Sequence, residues 1–196
     1  MTASAAPNTS APKEKILKAA ARLFAERGYH GIGIEDLCRA LGVSRGALYH
    51  HIRSKEDLLE DICMRYMADL GEKARLAAAE EPDPVRRLER LGSELIDVIA
   101  ASRAELAVCF RETHALGAER RKRVLALHAA YENVWKETLL EGQRAGVFLP
   151  FSRARLKALL GMHYYSYLWL DPSRPGCVDD AREVFRGIVK AATITG

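Results

Sequence analysis

The chain lacks several features that would each announce a function class. No segment alternates apolar and polar residues with period two over a useful length, so no β-sheet is predicted. No apolar run reaches the roughly 20 residues that a membrane span needs. The most apolar late stretch, residues 159–170, is interrupted by His163 and Ser166. The four cysteines, Cys38, Cys63, Cys109 and Cys177, form no C-x-x-C pair. They are expected to be reduced thiols of a cytoplasmic protein. No basic segment followed by an apolar core opens the chain, so a secretory signal is not expected. Serine and cysteine nucleophile motifs are missing, as are paired catalytic carboxylates. Gly28, Gly31 and Gly33 follow no strand and lack dinucleotide-loop spacing. His50 and His51 are adjacent on a helix and cannot form an i, i+4 ligand pair. His114, His128 and His163 stand apart on apolar faces and read as core or pocket residues. No metal and no cofactor is expected.

What is present is helical and globular. The 196 residues are 48% hydrophobic and 29% charged, with abundant Ala, Leu, Arg and Glu. Residues 1–11 are Ala, Ser, Thr, Asn and Pro apart from the first Met, and are expected to be a disordered tail. After it, Ile16, Ala20, Leu23 and Phe24 mark one face of a first helix, stopped by Gly28. A short second helix carries Ile34, Leu37, Cys38 and Leu41. Ser44 caps a third helix and Ser54 a fourth. Asp83 and Pro84 open a further helix after an acidic break. Later helices are predicted over about 103–116, 118–145, 152–170 and 178–193. The expected architecture is all-α.

The net charge of +4 is too small to imply a nucleic-acid partner by itself. Its distribution says more. From Arg39 to Lys55 there is no acid, but there are four cations and two histidines. The tight turn Leu41-Gly42-Val43-Ser44 joins the second and third helices, as in a helix-turn-helix. The third helix opens Ser44-Arg45-Gly46-Ala47. Its small side chains would let the backbone approach a duplex while Arg45 reaches a guanine edge. Tyr49, His50, His51 and Lys55 are suited to phosphates.

These runs resemble the DNA-binding domain of the TetR family of transcriptional regulators. The likeness rests on residues 15–29, on Ile34-Glu35-Asp36-Leu37, on residues 42–52 and on Ser54-Lys55-Glu56-Asp57-Leu58-Leu59. It implies an all-helical homodimer that binds a double-stranded DNA operator and a small-molecule effector. Residues 12–72 would be an N-terminal three-helix DNA-binding domain. Residues 73–196 would be a C-terminal effector-binding and dimerisation domain. Residues 33–52 would form the helix-turn-helix and residues 44–51 the recognition helix. Arg45 and Ala47 would face bases, with Tyr49, His50 and Lys55 on phosphates. Ile32-Gly33 departs from the family's Thr-Thr, leaving Gly33 as an N-cap without a hydroxyl. Ile52 replaces the family's Phe.

Residues 135–172 are similar to a subgroup whose effectors are CoA thioesters, which implies an acyl-CoA effector. Arg120, Arg121 and Arg123 would then meet its phosphates, or else form a solvated helix end. Tyr131, Trp135, Tyr164, Tyr167 and Trp169 either line the pocket or form the dimer core. Arg111 and His114 are further pocket candidates. The resulting expectation is a cytoplasmic, effector-released repressor without membrane contact. An activator, an effector-independent regulator and, more remotely, a helical-bundle enzyme are the alternatives.

Overall fold

The computed structural model describes residues 10–193, and none of them lies in a β-strand. The tail expected over residues 1–11 lies outside the described residues up to position 9. Ser10 and Ala11 already belong to the first helix. Nine α-helices follow one another among the described residues: α1 (Ser10–Arg27), α2 (Ile34–Leu41), α3 (Arg45–Tyr49), α4 (Lys55–Glu80), α5 (Pro84–Ala101), α6 (Arg103–Glu112), α7 (Ala118–Arg144), α8 (Arg153–Tyr165) and α9 (Cys177–Thr193).

Local chemistry sets most of the boundaries. Gly42 takes φ 66°, a left-handed conformation that closes α2 at little steric cost. The Ser44 hydroxyl accepts from the Ala47 N–H at 3.2 Å, and the Ser54 hydroxyl from the Asp57 N–H at 3.0 Å. The Asp83 carboxylate accepts from the N–H groups of Val85 and Arg86 ahead of α5. Gly33 has no side chain to cap α2. Instead its own N–H donates to the Asp36 carboxylate at 2.9 Å.

Two helices end earlier than predicted. The segment expected over 152–170 leaves α-geometry at Tyr165 and tightens into a 3-10 turn, Ser166–Leu168. The segment expected over 103–116 does the same at Thr113–Ala115. In both places apolar residues continue past the end, so periodicity alone does not show the stop.

The long α4 is the shared wall of the molecule. It packs on α1 at one end and on α5, α6 and α7 along its length, while α9 and α8 lie against α5. A continuous core runs through both parts, from Phe24, Leu37 and Leu48 to Leu58, Leu91, Trp135 and Leu159. Ile52, the departure from the family pattern, is buried at 5% exposure and works as a core residue. Arg87 fixes the α4–α5 turn: its guanidinium donates to the Glu81 carbonyl at 2.8 Å and to Glu141 of α7 at 2.5 Å. No described helix is long and apolar enough to cross a membrane.

Candidate DNA interface and effector cleft

The helix-turn-helix is assembled by α2 and α3. Leu48 is fully buried and anchors α3, leaving Arg45, Gly46, Ala47, Tyr49 and His50 on the exposed side. The Arg45 guanidinium lies 5.7 Å from the centre of the Tyr49 ring, one helical turn on. Ser44 is occupied as the cap of α3, and Gly33 is exposed at the start of α2. His51 is half-buried.

Lys55, expected among the phosphate contacts, has a different first task. Its ammonium donates to the carbonyls of Tyr29 and Ile32, at 3.0 and 2.9 Å. It therefore holds the α1–α2 loop. Burial lowers its pKa from the ordinary lysine value. Gly31 in that loop has no room for a side chain, since a Cβ would stand 2.6 Å from the Arg27 carbonyl oxygen.

In the C-terminal part, a cleft of about 590 Å³ opens between α6, α7 and α8. One stripe of α7 faces it: Arg121, Leu125, His128 and Glu132. Leu160, Gly161 and Tyr164 line it from α8, and Cys109 and Phe110 from α6. Lys157 bonds to Glu132 at 2.5 Å and ties its two long walls together. Desolvation lowers the pKa of His128 and so favours its neutral form. The neighbouring thiols of Cys109 and Cys63 (α4) influence each other, which raises the Cys109 pKa and lowers that of Cys63. All four cysteines are free thiols. Among the described residues no three histidine, cysteine or carboxylate side chains converge as metal ligands.

The pocket candidates divide. His114 and Tyr164 line the cleft. Tyr167 lies near it, its ring parallel to that of Phe110 at 6.5 Å. Tyr131 and Trp135 do not line it: they are 3% and 0% exposed and form part of the core within the single chain. Trp169 is also away from the cleft. It is half-exposed and stacks on Phe185 of α9 at 6.1 Å. Arg111 turns to the DNA-binding helices and donates to the Ala25 carbonyl at 3.0 Å.

The basic run divides as well. Arg120 meets Asp57 and Glu60 of α4, each at 2.5 Å, and Arg123 meets Glu60 at 2.5 Å. Those two cations are neutralised within the chain and do not face the cleft, because residues one and two positions from Arg121 fall on other sides of a helix. Only Arg121 of the three lines the cleft. The Gly117 N–H, just ahead of α7, also donates to Glu56 at 2.8 Å.

Of the α7 stripe, the sequence singles out Arg121 and His128 but not Leu125 and Glu132, although the i, i+4, i+7, i+11 spacing is a readable second face. Sequence reasoning passed over Tyr66 and Ser166 as site residues. The Tyr66 hydroxyl, the Ser166 hydroxyl, the Trp135 indole N–H and His163 Nε2 are all buried without a partner. Nothing in the local sequence marks these atoms as unpartnered.

Comparison with known proteins agrees with this geometry. Residues 16–62 match the family model of bacterial regulatory proteins of the tetR family, and residues 81–191 match the tetracyclin repressor-like C-terminal domain. The HTH-type transcriptional repressor KstR2 of Rhodococcus jostii (strain RHA1) is 29% identical over 183 residues, covering 92% of this chain and 90% of that protein. The TetR family regulator PfmR of Thermus thermophilus superposes with a TM-score of 0.82 at 28% identity, over 98% of this chain and 96% of PfmR. The structure of AibR in complex with isovaleryl coenzyme A and operator DNA superposes with a TM-score of 0.80 at 26% identity, over 90% and 96% of the two chains. The chain belongs to the TetR family of bacterial regulatory proteins, which are transcriptional regulators and not enzymes.

Proposed function

We propose that this chain is a cytoplasmic, homodimeric repressor that leaves a palindromic operator when an acyl-CoA thioester enters the α6–α7–α8 cleft. Residues 12–72 bind DNA, and residues 73–196 bind the effector and dimerise. The two family matches fall inside these two ranges, which supports the division.

On the DNA side, Arg45 and Ala47 read base edges. Gly46 keeps the helix face low, and Gly33, Ser44, Tyr49, His50 and His51 lie along the phosphates. The exposure of α3 beyond Leu48 supports this assignment. The dimer forms through α8 and α9. Support comes from the large apolar side chains exposed on these helices and in the turn after α8: Tyr165, Leu168, Trp169, Val184 and Ile188.

One observation carries the effector reading. Adjacent arginines at the start of α7 do different work: Arg121 lines the cleft, while Arg120 and Arg123 bond to α4. An effector phosphate drawn to Arg121 pulls on the same turn that holds α4, and α4 follows directly from the recognition helix. The acyl part lies against Phe110, Leu125, Leu160 and Tyr164. The likeness to AibR, bound to isovaleryl coenzyme A, supports a thioester as the ligand. Such a ligand acts only by preferring the conformation that misplaces the recognition helices.

Thermal unfolding of the purified protein with isovaleryl-CoA, longer acyl-CoA thioesters, their free acids and CoA alone tests this reading. A ligand at about 100 times its Kd adds about 2.7 kcal/mol. Stabilisation by a thioester and not by its acid is expected. Equal melting with all of them removes the acyl-CoA effector.

A further inference from the structure

A second cleft, of about 440 Å³, lies between α1, α4 and the start of α6. Leu17 and Ile62 give it an apolar floor, at 5% and 1% exposure. Tyr66 lines it at 4% exposure, and the Tyr66 hydroxyl is one of the buried atoms without a partner. A hollow of about 300 Å³ adjoins this cleft, and the two share Lys18 and Glu105. The hollow is walled by Lys18 and Arg22 of α1 and Arg103 of α6. Arg22 makes no hydrogen bond or ion pair among the described residues. Arg103 donates to the Tyr167 carbonyl at 3.1 Å and makes no ion pair among the described residues, though its charge also acts on the Asp171 carboxylate.

The first turn of α6 forms the same wall. Its N-cap, Ser102, gives no side-chain hydrogen bond. The Leu106 N–H bonds to the Ser102 carbonyl at 3.0 Å and is the first to find an acceptor within the helix. The N–H groups of Arg103, Ala104 and Glu105 are left at the positive end of the helix dipole. Around the whole groove stand the cations Lys18, Arg22, Arg65 and Arg103 and the acids Glu14, Asp69 and Glu105. The cations exceed the acids by one, which suits a monoanion better than a phosphate dianion.

We propose that this groove is a second ligand site, separate from the α6–α7–α8 cleft, for a medium-chain carboxylate carrying a hydroxyl or carbonyl at its far end. The carboxylate meets Arg22, Arg103 and the open N–H groups of α6. The chain lies over Leu17 and Ile62. The far oxygen takes the Tyr66 hydroxyl as its partner. Because α1 belongs to the DNA-binding helices and α6 to the C-terminal part, a ligand here bridges the two.

Isothermal titration of the full-length protein with octanoate, 8-hydroxyoctanoate and 1-octanol tests the site. One 8-hydroxyoctanoate is expected per chain, bound at least fivefold tighter than octanoate, with 1-octanol weaker than both. Arg22→Ala with Arg103→Ala raises the Kd at least tenfold. Arg22 is exposed, so Arg22→Ala alone carries the test if the double variant loses its helical circular dichroism. Tyr66→Phe erases the preference for the hydroxylated acid. Leu125→Arg, which obstructs the first cleft, leaves binding within twofold. The proposal is overturned if neither carboxylate binds saturably. It is equally overturned if Leu125→Arg abolishes binding while the arginine variants keep it.

Discussion

The Lys55 ammonium donates to the main-chain carbonyl of Tyr29 at 3.0 Å and stands 4.2 Å from the centre of the same residue's ring. One cation at the start of α4 thus fixes the loop that presents α2, through a hydrogen bond and a cation–π contact to one tyrosine. The adjacent Ile32 carbonyl takes a second donor. This relationship separates two roles that a lysine at this position can have, and it can be measured.

Lys55→Met keeps the aliphatic stem and removes the donors. It is expected to destabilise the protein by about 2 kcal/mol in urea unfolding, since hydrogen bonds from a charged group contribute about 1.5–3 kcal/mol. DNA affinity falls because α2 is less firmly held, while the dependence of log K on log salt stays the same. A phosphate contact would instead lower that slope by roughly one.

His163 is a buried neutral base. Its Nδ1 bonds to the Leu159 carbonyl at 2.7 Å, and Nε2 has no partner. Desolvation depresses its pKa from 6.5 to about 4. Between those values the unfolded chain binds a proton that the folded one refuses. Stability from this group is therefore complete above pH 6.5 and declines as pH falls towards 4, by about 1.4 kcal/mol per pH unit at most. Urea unfolding at pH 7, 6 and 5 should show the decline, and His163→Leu should flatten it. An equal slope in the variant assigns the acid sensitivity to other groups.

Much of this was legible in the sequence, for identifiable reasons. Ser44, Ser54, Asp83 and Gly42 announce helix ends through chemistry that acts within a few residues. Leu48 and Ile52 follow from one short turn whose spacing admits a single arrangement. Long-range partners were not legible. Lys55 looks like any exposed basic residue until Tyr29 and Ile32, more than 20 positions earlier, are placed beside it. Arg120 and Arg121 are identical in type and adjacent, yet only the rotation of α7 decides which meets Asp57 and which lines the cleft. Tyr131 and Trp135 could not be assigned to pocket or core without knowing what α4 and α5 put against them.

Gly142 stands where α7 passes Phe148. A Cβ there would lie 1.9 Å from Phe148 Cδ2, and that ring is 3% exposed. Gly142→Ala is expected to destabilise by about 3 kcal/mol despite the better helix propensity of alanine. Combining it with Phe148→Leu should recover part of the loss in a double-mutant cycle. Additive costs would show that the clash is relieved elsewhere.

Arg121 and Arg120 should separate by function. Arg121→Ala is expected to raise the Kd for isovaleryl-CoA about tenfold and leave operator affinity unchanged. Arg120→Ala should leave the thioester Kd within about twofold but weaken its power to release DNA. Titration calorimetry and DNA anisotropy read the two quantities separately. If both variants lose thioester binding equally, the start of α7 does not divide its work in this way.

Ligand binding in the C-terminal part is expected to control sequence-selective DNA binding. The direct measurement is fluorescence anisotropy of the purified protein on a duplex selected by the protein from random DNA, with and without saturating isovaleryl-CoA. Binding to a palindrome with half-sites about 34 Å apart is expected, weakened at least tenfold by the thioester. Selective binding that neither isovaleryl-CoA nor any longer acyl-CoA alters would contradict the claim and leave an effector-independent regulator.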